Sequence, residues 1–277
     1  MNQALVDAIT TLKNEFMKKN KDNSHIREII PALAKSLSIA EHDLQMLHRF
    51  ADCNSIYTNS YEMNILDTTC KVYQGDVNNY WLDSIKHDTS YAPFYPVWIL
   101  SAYALALESK NLGAQHVIDI GSGDGRIAYC AKIAGLKSHA IEIDENLVRL
   151  ENQISTSTKV DFKPMMADAT QFDYTSLELS RPIFFISGLP EVGEMLANNV
   201  IPRIRTIPNL KEDSIFVFTG SHMMRKESRD KSMWGWGKLL DSYNLEVIKT
   251  VTLPTYWTLD QQIDTPFIFT RSVIYND

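Results

Sequence analysis

Apolar residues follow two different spacings along this chain, and the change between them divides it into two parts. In the first part they recur three and four positions apart, as on one face of an amphipathic helix. Three groups have that spacing: Leu5, Ile9, Leu12 and Phe16; Ile26, Ile29, Ile30, Leu33 and Leu37; Leu44, Leu47 and Phe50. We therefore predict a helical N-terminal region over 1–90, irregular from 55 onward, that acts as a lid or binds a partner or substrate.

From residue 91 onward, short apolar runs alternate with helical patterns. A dense apolar helix is predicted over 97–107. The predicted strands are 115–120, 137–143, 160–163, 183–187, 214–219, 245–253 and 267–274. Helices are predicted over 124–134, 145–154, 191–204 and 232–242. Alternation favours a doubly wound, Rossmann-like parallel sheet, and the last two strands, with no helix between them, favour a C-terminal antiparallel hairpin. Residues 91–277 are thus predicted to form one α/β domain.

The first of these strands runs into a glycine turn. Residues 116–126 read HVIDIGSGDGR, with three glycines at alternate positions. Such a turn brings bare backbone and N–H groups against a ligand. A dinucleotide fingerprint, G-x-G-x-x-G, needs glycine where Arg126 stands, whereas the observed spacing is typical of an S-adenosylmethionine (SAM) site. The predicted cofactor contacts here are Asp119, Gly121, Ser122, Gly123, Asp124 and Gly125.

Polar residues also follow the next strands of the predicted sheet. In open α/β sheets the ligand lies across the carboxyl ends of the strands. Glu142, about 20 residues past the first glycine, is placed to accept hydrogen bonds from ribose hydroxyls, with Ile143 beside it. Asp168 and Ala169 are predicted to contact the adenine amino group and a ring nitrogen.

The turn after the fourth strand is where a methyl donor would meet its acceptor. Its residues are Ser187, Gly188, Leu189 and Pro190, which we predict as catalytic positions, with Ser187 also touching the cofactor. Methyltransferases that act on exocyclic nucleobase amines carry Asn/Asp-Pro-Pro-aromatic here. This chain lacks that motif.

The segments 119–126, 140–148, 168–169 and 188–192 together resemble class I SAM-dependent methyltransferases. More narrowly, they resemble the seven-β-strand protein-lysine methyltransferases that modify the ATP synthase c subunit and the adenine nucleotide translocase. Non-SET histone-lysine methyltransferases are a more distant match. The resemblance implies SAM as cofactor, a lysine acceptor, and an aromatic-proline segment, 94–97, that brings Tyr95 over the cofactor and the reacting atoms. Ser221-His222 comes later than the Ser-His of that branch, which leaves a role for His222 open.

The aromatic residues near these segments have two interpretations. A lysine must be neutral to attack, and desolvation in an aromatic channel lowers its pKa. Tyr91, Phe94, Tyr95 and Trp98 are candidates for such walls, although core packing explains all of them except Tyr95 equally well. For Trp234 and Trp236, core packing is favoured over a substrate loop.

Composition and charge limit the kinds of partner that we expect this protein to bind. The formal charge of −7 and the pI of about 5.5 give no global attraction to nucleic acid. No apolar run approaches the roughly 18 residues that span a membrane, so we expect no membrane insertion and a cytoplasmic location. Cys53, Cys70 and Cys130 form no C-x-x-C pair, and no metal is expected. Three hypotheses remain: a protein-lysine methyltransferase, a small-molecule or RNA methyltransferase, and a SAM-binding regulatory protein.

Overall fold

The computed structural model describes residues 3–20, 26–76, 94, 96–188, 190–220, 231, 235–256 and 262–273. Its N-terminal region contains two helices and a small sheet. The elements are α1 (Gln3–Lys19), β1 (Ile26–Pro31), α2 (Glu41–Cys53), β2 (Tyr57–Ile65) and β3 (Thr68–Gly75). The three strands pair antiparallel in the order β1-β3-β2.

This sheet corrects the prediction of a helical region over 1–90. The helices α1 and α2 are confirmed, but 26–31 is a strand in which all six residues are buried. A fully buried strand has no alternation, so its isoleucines fit a helical spacing as well. The second error concerns β2 and β3, predicted as irregular because 55–91 lacks clear periodicity and is rich in Asn, Asp and Tyr. Asn and Asp are weak strand formers. Cross-strand pairing overrides that propensity here.

The second part of the chain forms a seven-stranded sheet. Its strands are β4 (His116–Ile120), β5 (Lys137–Glu142), β6 (Pro164–Met166), β7 (Pro182–Ile186), β8 (Ile215–Thr219), β9 (Leu245–Tyr256) and β10 (Gln262–Ser272). Their order is β6-β5-β4-β7-β8-β10-β9. The pairs from β6 to β8 are parallel, and β10 runs antiparallel to both of its neighbours. The predicted doubly wound sheet with a closing hairpin is confirmed.

Helices cover this sheet. They are α3 (Ile99–Asn111), α4 (Arg126–Ile133), α5 (Glu145–Thr158), α6 (Pro190–Arg205) and α7 (Gly237–Ser242). Successive side chains of the central strands enter two different cores: Val117 joins one and Ile118 the other, as do Phe185 and Phe184. The core on the α3–α4–α5 face also contains the apolar residues of α1, β1 and α2. The N-terminal region and this face of the sheet therefore share one hydrophobic core.

One predicted strand is displaced. Residues 160–163 were predicted to pair, but the ladder of β6 with β5 begins at Pro164, opposite Ala140. Val160 and Phe162 are buried, which explains the strand-like pattern. They pack into the core from a connecting segment, and Lys163 turns the chain with a φ of +55°.

Two partly buried polar pairs join the N-terminal helices to the rest. Lys13 of α1 forms an ion pair with Asp264 of β10, with Nζ and Oδ1 2.7 Å apart. Tyr103 of α3 donates its hydroxyl to Asp43 of α2 over 2.5 Å. None of the described helices combines the length and hydropathy that crossing a bilayer requires.

Candidate functional site

The glycine turn after β4 is held in a conformation that favours glycine. Gly121, Gly123 and Gly125 have φ angles of +70°, +64° and +74°, a region that side chains with a Cβ rarely occupy. The N–H groups of Gly121 and Ser122 donate to the carbonyl of Ile141 on β5, which ties the turn to the neighbouring strand. The predicted strand, turn and helix are confirmed, with α4 beginning at Arg126.

An aromatic ring lies directly on this turn. A Cβ added to Gly123 would come within 2.4 Å of Cε2 of Phe94, whose side chain is buried. Phe94 belongs to the aromatic-proline segment, 94–97, and the predicted position of that segment over the cofactor stays a prediction. Tyr95, predicted to lie over the cofactor, is outside the described residues. Phe94 closes one side of the turn.

Replacing Gly123 with alanine should destabilise the protein by about 2–3 kcal/mol. About 1 kcal/mol comes from the left-handed backbone and the rest from overpacking against Phe94. Gly113→Ala is the matched control, because Gly113 has a φ of +84° but its added Cβ would meet nothing nearer than 3.9 Å. Urea denaturation of both variants measures the difference. Equal losses for Gly113→Ala and Gly123→Ala would contradict tight packing of Phe94 on the turn.

Asp119 closes β4 with an unsatisfied carboxyl group. It is 1% exposed, and neither oxygen has a hydrogen bond of normal geometry with any described residue, although the N–H of Ala128 and the hydroxyl of Ser187 lie beside it. Burial raises its pKa to about 8, and the nearby carboxylates of Glu142 and Asp124 contribute to the rise. A buried polar group without a partner is costly, and a cationic ligand would satisfy it.

Glu142 links the second strand end to the glycine turn. Its Oε2 accepts from the N–H of Gly123 over 2.9 Å, and its Oε1 accepts from the N–H groups of Ile143 and Asp144. Burial raises its pKa, and these three donors act in the opposite direction. A carboxylate has about four acceptor positions, so room for a further donor remains. The predicted ribose contact stays a prediction, and the anchoring of Gly123 is an additional role.

A second carboxyl group beneath the turn was missed from the sequence. Glu151 of α5 is fully buried and accepts from the hydroxyl of Ser122 over 2.6 Å. Burial raises its pKa well above the usual range. Glu151 occupies the apolar stripe of α5, between Leu150 and Ile154, and a lone acid on such a stripe is the feature that would have identified it. The Ser122 side chain, a predicted cofactor contact, is thus engaged with the protein.

Asp124 also faces inward. Its carboxylate is fully buried and binds the guanidinium of Arg126 through both oxygens, at 2.8 and 2.5 Å. Asn54 adds a third hydrogen bond, of 2.8 Å. The Asp124 side chain therefore stabilises the turn itself. The cofactor contact predicted at Asp124 stays a prediction, and its backbone would make it.

Asp168 and Ala169 follow β6 at the same edge of the sheet. Asp168 is exposed, and its Oδ1 accepts from the N–H and the hydroxyl of Thr170. Ala169 is buried. The local hydrogen bonds fix the Asp168 side chain while its Oδ2 faces no described donor at hydrogen-bonding distance, which suits the predicted contact with an amino group.

The turn after β7 lies against the glycine turn. The N–H of Ser187 donates to the carbonyl of Ile120 over 3.0 Å, and Gly188 has a φ of +115°. Pro190 begins α6, a position that suits its missing N–H. Gly193 supports the turn from below: its added Cβ would lie 2.9 Å from the Gly188 carbonyl oxygen. Leu189 is outside the described residues.

Among the other aromatic candidates, two are core residues. Trp98 and Trp236 are each 1% exposed. Trp236 packs on Phe218, with ring centroids 4.8 Å apart, and donates to the Thr219 carbonyl. Core packing is thus the structural role of both. Tyr91, Ser221, His222 and Trp234 lie outside the described residues.

Comparisons with known proteins agree with the fold. No family model and no curated protein matches the chain. A crystal structure described as a "putative RNA methyltransferase" from Pyrococcus horikoshii is similar over 85% of this chain and 100% of its own, with a TM-score of 0.54 and 15% identity. A glycopeptide N-methyltransferase bound to SAM covers 68% of this chain and 99% of its own, at a TM-score of 0.46 and 10% identity. The chain has the Rossmann-like methyltransferase fold.

Proposed function

We propose that this protein is a SAM-dependent methyltransferase that methylates a nitrogen nucleophile, with a protein lysine as the acceptor. The observation that carries the cofactor assignment is Asp119. It presents a buried carboxyl group with no partner of normal geometry among the described residues, two positions before a glycine turn whose first glycine, Gly121, is exposed. An ammonium group would satisfy both carboxylate oxygens.

Charge favours SAM over a dinucleotide at this turn. Four buried carboxyl groups surround it, and they influence one another's ionisation: Asp119, Asp124, Glu142 and Glu151. Arg126 is fully committed to Asp124 and Glu28. Among the described residues at the turn, a pyrophosphate would find carboxyl groups and no guanidinium without an acidic partner, whereas the ammonium group of SAM would favour the ionised, attractive form of Asp119.

The residues of the site have distinct tasks. SAM, when bound, would supply a methyl group on a sulfonium: the acceptor nitrogen would bond to the methyl carbon as the S–CH3 bond breaks, with S-adenosylhomocysteine as the leaving group. Asp119 and the glycine turn hold the amino-acid end, Glu142 the ribose, and Asp168 with Ala169 the adenine. Phe94 and the turn around Gly188 exclude water from the reacting atoms. Their contribution is positioning.

Three features of the chain favour a lysine as the methyl acceptor. The turn after β7 lacks the Asn/Asp-Pro-Pro-aromatic motif of nucleobase-amine methyltransferases, and the net charge is −7. The segments around Asp119, Glu142 and Pro190 resemble protein-lysine methyltransferases. A lysine nitrogen needs to lose its proton before attack, and a water-poor site beside Phe94 lowers its pKa.

An RNA or small-molecule acceptor is the second candidate. It is favoured by the similarity to the archaeal structure described as a "putative RNA methyltransferase", which extends over 85% of this chain. That similarity supports the fold, and the acidic surface charge weighs against RNA. A SAM-binding protein without transferase activity is the third.

Transfer of a labelled methyl group tests these candidates. The purified protein is incubated with methyl-labelled SAM and a cell lysate, and the products are treated with protease or with nuclease. We expect protease-sensitive label that amino-acid analysis recovers as methyllysine. Nuclease-sensitive label would transfer the assignment to RNA, label confined to small molecules would replace the lysine acceptor, and binding without transfer would leave a SAM-binding protein. Absence of SAM binding would refute the proposal.

A further inference from the structure

A buried network of charged and polar groups joins the N-terminal sheet to the glycine turn. At its centre lies Arg126, the first residue of α4, which stands where a dinucleotide turn has its third glycine. Its Nη1 contacts Oε1 of Glu28 over 2.5 Å, and its Nε and Nη2 bind both oxygens of Asp124. All three side chains are at most 3% exposed.

The N-terminal region supplies every other side chain in this network. Asn54, at the end of α2, donates to Asp124, and its own Oδ1 accepts from the N–H of Ile56. The hydroxyl of Tyr57 donates to Glu28 over 2.9 Å and accepts from Nη2 of Arg126 over 3.2 Å. Each end of the network is thus held by residues distant in sequence.

The network also fixes the entry to α3. Oε2 of Glu28 accepts from the N–H of Ile99, the first residue of that helix, and the guanidinium donates to the carbonyl of Val97. Val97 lies three residues after Phe94, whose ring packs on Gly123. Glu28 therefore acts on the glycine turn along two routes, through Arg126 and Asp124 and through the segment that carries Phe94.

We propose that Glu28, Asn54 and Tyr57 are positioning residues for the cofactor, so that the N-terminal region completes the SAM site from behind rather than serving only as a lid or docking element. This inference rests on the proposed function. In a buried network the loss of one member leaves the others uncompensated. Without Glu28, the Arg126 guanidinium must find another partner, and Asp124 and the Gly123–Gly125 backbone shift with it.

Binding of S-adenosylhomocysteine tests this inference in full-length variants. Glu28→Gln keeps the size of the side chain but removes its charge, and we expect its Kd to rise at least tenfold. Asp264→Asn is the matched control, because it breaks another ion pair that joins the N-terminal region to the rest, the partly buried one with Lys13 on α1. We expect that control to lower the melting temperature and to keep the Kd within twofold of the wild type.

A second pair of variants covers the case in which Glu28→Gln does not fold. Tyr57→Phe removes one buried hydroxyl from the network, and Tyr103→Phe removes one that binds Asp43 elsewhere. We expect Tyr57→Phe to raise the Kd about threefold and Tyr103→Phe to leave it unchanged.

The outcomes separate the two proposals. A Kd within twofold of the wild type for Glu28→Gln and Tyr57→Phe, with melting temperatures lowered as in the controls, would reduce these residues to a purely structural role and overturn the inference alone. If the wild type binds neither SAM nor S-adenosylhomocysteine, the proposed function fails and this inference fails with it.

Discussion

Glu142→Ala is expected to weaken SAM binding about a hundredfold. The substitution removes the proposed ribose acceptor and also the anchor of the Gly123 N–H, which Glu142 holds at 2.9 Å. Hydrogen bonds to a charged group contribute about 1.5–3 kcal/mol each, so a loss near 3 kcal/mol corresponds to about two orders of magnitude in Kd. Isothermal titration calorimetry with SAM measures it.

Two further substitutions serve as controls for Glu142→Ala, one that keeps the shape of the side chain and one at an exposed position. Glu142→Gln retains one acceptor oxygen, and an intermediate Kd is expected. Glu145→Ala removes an exposed carboxylate three positions further on, whose side chain is 66% exposed and pairs with Arg149, and it should leave binding unchanged. A wild-type Kd in the folded Glu142→Ala variant would exclude Glu142 from the cofactor site.

Asp119→Asn is expected to stabilise the ligand-free protein at pH 8 while it weakens SAM binding. The pKa of Asp119 in the folded protein is raised to about 8, compared with about 3.9 in an unfolded chain. A raised pKa gives stability that is complete below pH 4 and is lost as the pH rises through 8. The shift sets an upper bound of about 6 kcal/mol on this loss. The Asp119→Asn variant has no ionisable group at this position, so it does not lose this stability as the pH rises.

Thermal unfolding of the wild type and of Asp119→Asn between pH 5 and pH 9 tests whether the wild type loses stability as the pH rises. The melting temperature of the wild type should fall relative to that of Asp119→Asn as the pH increases, and parallel curves would show that Asp119 is ionised throughout.

The raised pKa of Asp119 also predicts that SAM binding at pH 7 releases close to one proton from the wild type. Calorimetry in buffers of different ionisation enthalpy detects that proton, and Asp168→Asn, on an exposed loop, should still release it.

The sheet could be predicted because its central strands are short apolar runs separated by helical patterns and a glycine turn. The N-terminal sheet could not. Arg27 and Glu28 are both buried in β1, so the strand shows neither alternation nor an all-apolar run, and its charges mimic the polar face of a helix.

The candidate site likewise contains residues whose positions could be predicted from the sequence and residues whose contacts could not. The positions of Asp119, Glu142 and Asp168 at one edge of the sheet were predictable because each lies at or just after the carboxyl end of a predicted strand, and their contacts with a cofactor stay predictions. The partners of Arg126 were not, since Glu28 lies 98 positions away and Asn54 lies 70 positions from Asp124. Local spacing carries no information about such pairs. The inward turn of Asp124 follows from them and was invisible for the same reason.

The ion pair between Lys13 and Asp264 sets an order for folding on the ribosome. These residues are 251 positions apart, so their ion pair forms only after the chain between them, up to β10, has been synthesised. Until then the apolar face of α1, with Leu5, Ile9 and Phe16, lacks the hairpin that covers it. Contacts of such long range slow folding and leave apolar surface open to association. We therefore expect the packing of α1 to be completed late, once the hairpin has been added.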